Sequence, residues 1–401
     1  MHNLTKIKIF RCLLWITYPV AVLFIYPFVF FRKKHTSHLF FFFDRYAIGG
    51  AQRIHLDILK SVEDVPKMVF FTRKSPNDGL KDAFYSVPAT KNFDIHTWCD
   101  YLLFRLFSVH YYSFYLNLHK RVHVLSSNST FFYDMLPFLG EHVHKTELLH
   151  NFSYGKNGME FFGLANYRLL DSRIVYDSFT LGNIRNQYAE YKVPEAYNEK
   201  ILFIQPGVVV PNELPVKSSP PLHILYAGRG GPQKRVWLLN RIARKFISEG
   251  SPVKFHFAGP LSGEIDQDIS AASQVYGEVR TKDEMNRLYS LAHIIILTSA
   301  YEGFPMVIKE GMAYGCVPLV TALEGNKMHL KNGYNSILID EFENEEAVVK
   351  QAIIQINGLL ADEARLKQLS KTAYEYAAKH FDRQQFLMAY REFLMHTPIQ
   401  K

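Results

Sequence analysis

Three cysteines in 401 residues, Cys12, Cys99 and Cys316, show neither metal-ligand nor redox spacing, and an odd count excludes a disulfide scaffold. A reducing compartment is the consequence. Acidic residues are missing from the whole amino-terminal stretch, where the first is Asp44. No repeat of solenoid length recurs, which excludes a stacked-repeat architecture. Charged residues reach only 21% against 48% apolar, and that balance excludes a disordered chain. What is abundant is aromatic: 15%, with 32 Phe and 24 Tyr. The length is too great for one ordinary core and suits two domains.

The net charge of +8 and pI near 9.1 belong to one end. Lys6, Lys8, Arg11, Arg32, Lys33 and Lys34 all precede Asp44, and the remainder balances 40 Lys and Arg (46 less 6) against 38 Asp and Glu. A nucleic-acid groove would spread its basic residues through the folded body. Here they bracket Cys12 to Phe31, which has no charge and could form about 30 Å of helix. A buried core helix and a cleaved signal peptide are the competing readings. The second suits the sequence poorly, because Arg32-Lys33-Lys34 rather than small residues follows the run. A membrane anchor fits best. Matched flanks and Pro19 and Pro27 leave a spanning or a re-entrant arrangement open.

Beyond residue 36 the pattern alternates strand and helix. Leu39-Phe40-Phe41-Phe42-Phe43 reads as a strand buried on both faces. Met68–Phe71, Arg121–Leu125, Lys145–Leu149, Ile174–Tyr176 and Ile201–Ile204 continue a parallel sheet, with helices between. The aromatic run Tyr101–Leu118 reads as a core helix or as a wall towards lipid. Pro211, Pro215, Pro220 and Pro221 mark 208–221 as a linker. A second unit then has strands at Leu222–Tyr226, Val253–Phe257, near Val275, Ile294–Leu297, Val317–Val320 and Ser336–Ile339. The expected domains are 1–36 (anchoring segment), 37–207, 208–221 (linker), 222–379 and a last helix at 380–401 that returns to the first domain.

Two segments carry the chemistry. The turn Gly228-Arg229-Gly230-Gly231-Pro232-Gln233-Lys234 follows a strand. Its glycines let backbone approach a ligand, Arg229 can hold phosphate oxygens bidentately, and Lys234, expected at the head of the next helix, adds a point charge. The second segment, Glu302-Gly303-Phe304-Pro305-Met306-Val307-Ile308-Lys309-Glu310, follows the run Ile294–Leu297. Pro305 reads as the first helical residue. Glu310 can then accept both hydroxyls of a ribose. Glu302 can hold sugar hydroxyls, beside the N–H groups of Gly303 and Phe304. A solvated surface turn and two ordinary helix glutamates are the plain alternatives. In the first domain, Gly49-Gly50 between strand and helix can approach phosphate, and His150 at a strand end can accept a proton or orient a hydroxyl. Asp266-Gln267-Asp268 lies in a polar stretch and reads as a solvated turn or helix start, so metal-free charge handling by Arg229 and Lys234 is expected.

These motifs resemble the retaining glycosyltransferases of family four, over about residues 39–395. Glu302 and Glu310 match the family's Glu-x7-Glu signature. Arg229 and Lys234 match its diphosphate-binding pair, Gly49-Gly50 its first-domain glycine loop, and His150-Asn151 its acceptor-side histidine. Gln52, Gly311 and the stretch Glu324-Gly325-Asn326 depart from the family pattern and leave sugar preference unspecified. The resemblance implies two Rossmann-like α/β domains facing across a cleft (the GT-B fold). It implies retaining transfer from a UDP- or GDP-linked sugar to a lipid-linked or cell-surface glycan, without a metal or other cofactor, as in bacterial polysaccharide assembly. The cytoplasmic membrane face is the expected location. A nucleotide-sugar epimerase or hydrolase, or a non-catalytic tethered partner, is the alternative.

Overall fold

Two separate parallel sheets organise the chain, each at the centre of its own unit: Met1–Gln205 with Phe386–Lys401, and Pro206–Gln385. The computed structural model describes residues 2–31, 37–150, 152–153, 158–218, 220–279 and 281–396. The basic cluster Arg32-Lys33-Lys34 and Asn151, both used in the sequence reading, lie outside the described residues.

The first unit's strands are β1 (Leu39–Phe43), β2 (Lys67–Phe71), β3 (Thr90–Asp94), β4 (Val122–Ser127), β5 (Val143–Leu148), β6 (Ser172–Val175) and β7 (Ile201–Phe203). They run parallel in the order β3-β2-β1-β4-β5-β6-β7. All five β1 residues are buried because both sheet faces are covered. Phe40 and Phe42 face a core shared with Val109, Phe114 and Tyr115 of the helix Leu102–Asn117. Phe41 and Phe43 face Ile54, Ile58 and Leu59 of the helix Gly50–Ser61, together with Phe386, Tyr390 and Leu394. The last three lie on the helix Arg383–His396, so the chain's end packs in the first unit's core. Phe42, Phe70 and Phe93 are register partners, their rings stacked 4.8 and 5.2 Å apart. The sequence reading had no strand at β3. Thr90–Asp94 is a half-exposed edge strand with no apolar run to announce it.

The second unit holds β8 (Leu222–Ala227), β9 (Val253–Ala258), β10 (Gln274–Gly277), β11 (Ile294–Leu297), β12 (Val317–Thr321) and β13 (Ile337–Ile339). Their order is β10-β9-β8-β11-β12-β13, again all parallel. In both sheets the winding reverses beside the first strand, at β1/β4 and at β8/β11. The loops leaving the carboxyl ends of those strands diverge there and open a crevice suited to a ligand. The second unit begins before the expected linker. Val208 donates its N–H to Phe381 at 2.7 Å and forms a bridge with Asp382, which ties the chain to this unit from its first residues.

Candidate functional site

The loops after β8 and β11 meet at the second unit's switch point. Gly228 continues β8 by donating to Ala258 at 2.9 Å. Gly259, at φ +137°, lies so close that a Cβ there would sit 1.8 Å from the Gly228 carbonyl oxygen. The Tyr226 hydroxyl then donates to the Arg229 carbonyl at 2.6 Å and turns the backbone into the loop. Arg229 is exposed, and its guanidinium donates to Gln233 Oε1 at 3.1 Å. Gln233 in turn links the two loops: its side chain donates to the Tyr301 carbonyl at 3.0 Å, and its own carbonyl accepts from Ala300 N at 2.8 Å.

Lys234 is not in a helix, contrary to expectation. The helix is Val236–Ser248, and its cap is Arg235 at φ +50°, a left-handed backbone unusual for a branched-out side chain. Three charge-assisted hydrogen bonds hold it there. The buried guanidinium donates to the carbonyls of Thr298 (2.7 Å), Ser299 (3.2 Å) and Phe342 (2.8 Å). Stopping the helix one residue short leaves Lys234 pointing to the β11 loop, where its ammonium forms an ion pair with Glu302. Both side chains are largely buried, 11% and 12% exposed. Arg235 was invisible to the sequence reading, since nothing in Gln-Lys-Arg says which cation is the clamp.

Pro305 caps the helix Met306–Ala313 rather than occupying its first position. Its ψ of 136° is extended, and its carbonyl accepts from Ile308 at 3.1 Å. Among the described residues, Gly303 and Phe304 donate no backbone–backbone hydrogen bond, which leaves two unspent N–H groups just before the helix start. Gly325 fits against the Gly303 carbonyl, where a Cβ would come within 2.0 Å, so the departing stretch Glu324-Gly325-Asn326 still packs on this loop. Glu310 lies about a turn into the helix, half-buried, and accepts a hydrogen bond from the Tyr289 hydroxyl at 2.7 Å. Its neighbour Lys309 was also missed. It is buried, donates to the Pro206 carbonyl at 3.2 Å, and lies over the rings of Phe304 and Phe381 at 5.5 and 5.2 Å. Arg229, Lys234, Glu302, Gly303 and Phe304 thus come together, with Glu310 further along the same helix.

In the first unit, Gly49 is extended at φ 178° and caps the helix that Gly50 begins. Gln52 of that helix donates to Asp44 at 3.4 Å, and burial raises the Asp44 carboxyl above its usual range. One turn on, the buried His55 stacks on Phe43 at 4.1 Å and meets His150 nitrogen to nitrogen at 2.8 Å. The other ring nitrogen of His150 is hydrogen-bonded to the Tyr176 hydroxyl. Burial lowers His150 to about 3, so the imidazole stays neutral across the physiological range. The pH profile of any reaction here should accordingly show no step that His150→Asn removes between pH 5 and 8.

Asp266 caps the helix Gln267–Ala272, and Arg244 binds it at 2.6 Å and Asp268 at 2.6 and 2.8 Å, an exposed ion-pair cluster. Among the described residues no group of three or more His, Cys, Asp or Glu side chains is placed to hold a metal ion. A cavity of about 200 Å³ beside Lys217, His293 and Ser370 lies at the opposite strand ends and does not involve these residues.

Residues 214–376 match the family model for Glycosyl transferases group 1. The fold is that of several solved structures. Anabaena Alr3699/HepE in complex with UDP-glucose has a TM-score of 0.67 at 16% identity, covering 90% of this chain and 100% of that one. A glycosyltransferase from Rickettsia africae ESF-5 has a TM-score of 0.66 at 15% identity, covering 90% and 100%. The lipopolysaccharide outer core galactosyltransferase WaaB, in its apo form, has a TM-score of 0.65 at 17% identity, covering 89% and 99%. Comparison with curated proteins finds no match.

Proposed function

We propose that this chain, a glycosyltransferase whose residues 214–376 match the family model for Glycosyl transferases group 1, moves a sugar, with retention, from a UDP- or GDP-linked donor to a lipid-linked or cell-surface glycan. The observation that carries the reading is the Lys234–Glu302 ion pair at the β8/β11 switch point, with Arg229 beside it. A nucleotide sugar has the complementary parts. Its diphosphate replaces Glu302 as the partner of Lys234, and its sugar hydroxyls replace Lys234 as the partners of Glu302. Lys234 trades one anionic partner for another, and Glu302 trades the ion pair for charge-assisted hydrogen bonds from neutral hydroxyls.

As the glycosidic bond breaks, negative charge gathers on the leaving diphosphate. Arg229, Lys234 and the unspent N–H groups of Gly303 and Phe304 are fixed before the reaction, and such preorganised donors lower the barrier most. Glu310 takes the ribose hydroxyls, with Tyr289 fixing its carboxylate. Among the described residues no carboxylate is set as an enzymatic nucleophile, which favours same-face transfer with the leaving phosphate helping to deprotonate the acceptor. On the acceptor side, Gly50 offers open backbone, while the Gln52 side chain lies against Gly49. His150, neutral, can exchange His55 for an acceptor hydroxyl.

A donor panel assayed against a membrane extract, with free-donor hydrolysis followed in parallel, tests the reading. One UDP- or GDP-sugar should support transfer, and inversion at the anomeric carbon would refute the mechanism. The two cations do the charge work a divalent ion does elsewhere, so transfer should survive chelator. Activity that vanished and returned only with magnesium or manganese would contradict this. The apolar amino-terminal segment suits attachment at the cytoplasmic membrane face, where tethering concentrates enzyme and lipid-borne acceptor on one surface.

A further inference from the structure

From Cys12 to its end the amino-terminal helix His2–Phe24 carries no charge, and only one side of it packs on the protein body. Leu14 and Ala21 are buried, with Phe10 and Tyr18 packed beside them on the first unit's core. Polar contacts run along the same stripe: Arg11 with Asn166, and Thr17 Oγ1 with His110 Nε2 at 3.0 Å. Beyond the break at Ile25, Tyr26 still meets Phe114 at 5.4 Å and Phe28 meets Tyr111 at 6.5 Å. The segment is therefore seated on the protein body along its length. The opposite stripe is bare, with Ile9, Ile16, Val20, Leu23 and Phe24 between 58% and 71% exposed.

That bare stripe continues onto a second element. Trp98 and the first turns of the helix Leu102–Asn117 are exposed too, notably Tyr101 at 63% and Leu103 at 76%. A chain of ring contacts joins them to the amino-terminal segment: Trp98 to Phe107 at 6.1 Å, Phe107 to Tyr111 at 6.0 Å, Tyr111 to Phe28 at 6.5 Å. A continuous apolar face of this kind marks an interaction site.

We infer that this two-part face lies in the interface of an anionic lipid bilayer, with the amino-terminal helix parallel to the membrane plane rather than across it. The inference rests on the proposed membrane attachment and specifies its geometry. A spanning orientation would either strip the packed stripe from the body or carry Asn166, His110 and the Arg105–Asp134 ion pair beneath Phe10 into hydrocarbon. Lying flat keeps every internal contact and wets only the bare stripe with lipid. The occupant follows from charge: six basic residues and no acid precede Asp44, and Lys8 is exposed beside the bare stripe.

The native residues supply the probes. Cys12 is exposed on this helix, whereas Cys99 and Cys316 are buried. In a Trp237→Phe background only Trp15 and Trp98 remain, one on each element, Trp15 half-exposed at the flank of the stripe against Phe138. The full chain should float with phosphatidylglycerol-containing vesicles without donor or acceptor, and Cys12 should lose its reactivity to an impermeant maleimide only when vesicles are present. Both tryptophans should be quenched by lipids brominated near the headgroup. Leu103→Glu should weaken partitioning roughly tenfold, the scale of one charge set against lipid, with donor hydrolysis unchanged. Trp15 quenched by lipids brominated at the bilayer centre, with Trp98 unquenched and Leu103→Glu without effect, would establish a spanning helix and overturn the inference. Cys12 shielded without vesicles in a concentration-dependent manner would assign the face to a second copy. Absent flotation with hydrolysis intact would overturn the membrane geometry and leave sugar transfer standing.

Discussion

Lys234→Ala should cut sugar transfer by a factor of about 100 to 1,000, on the order of 3 kcal/mol, the scale of losing one preorganised transition-state donor. Arg229→Ala should cost transfer on the same scale, but the two are not equivalent. Arg229 is exposed and, among the described residues, its guanidinium donates to a neutral glutamine, so its removal leaves the loop otherwise intact. Lys234 is the partner of Glu302, and without it a largely buried carboxylate loses its counter-charge. Lys234→Ala should therefore lower stability as well as turnover, and adding Glu302→Gln should restore the stability without restoring the rate. Glu310→Ala should behave differently again. Its ribose contacts exist before the transition state and largely persist through it, so donor affinity should fall more than turnover. Steady-state kinetics with separately measured donor binding separates these outcomes. Equal losses of turnover in all three variants, with donor binding unmoved, would sink the division of roles.

The legible parts of this protein were those encoded by neighbours in sequence. Apolar runs such as Leu39–Phe43 and Ile294–Leu297 could only be strands covered on both faces, and they are. Thr90–Asp94 had no such mark, because an edge strand needs neither buried face nor apolar run. The position of Pro305 was misjudged by one residue, since proline's fixed φ suits both the cap and the first helical turn, and only ψ separates them. What sequence could not supply was pairing at a distance. Glu302 and Lys234 were each singled out, yet that one holds the other follows from the β8/β11 adjacency. The same adjacency makes Arg235 a clamp on three carbonyls. His150 was singled out by its place after β5, while its contact with His55 depends on how the helix Gly50–Ser61 crosses the sheet.

Removing the buried guanidinium of Arg173 should be the most destabilising single change in the first unit. Arg173 on β6 is 1% exposed and is the register partner of Glu147 on β5. Its Nε donates to Glu147 at 2.5 Å and its Nη1 to the Tyr188 hydroxyl at 2.9 Å, while Tyr133 donates to the other carboxylate oxygen of Glu147. Neither charge has water to fall back on. Arg173→Met should therefore cost roughly 3–5 kcal/mol, the scale for orphaning one half of a buried ion pair. Replacing both partners removes the orphaned charge together with its counterpart. The double variant Arg173→Met with Glu147→Gln should recover much of that loss, because the glutamine oxygen still accepts from Tyr133. Urea unfolding of the full chain, comparing midpoints at unchanged slope, reads the difference. A double variant as unstable as Arg173→Met alone would mean that the loss comes from packing around Gly163, where the guanidinium fills the space a Cβ would need, and not from the uncompensated carboxylate. The network also sits at the end of β5, directly before His150. Recovery of stability in the double variant should thus be accompanied by recovery of transfer, since the strand that presents His150 would again be held in place.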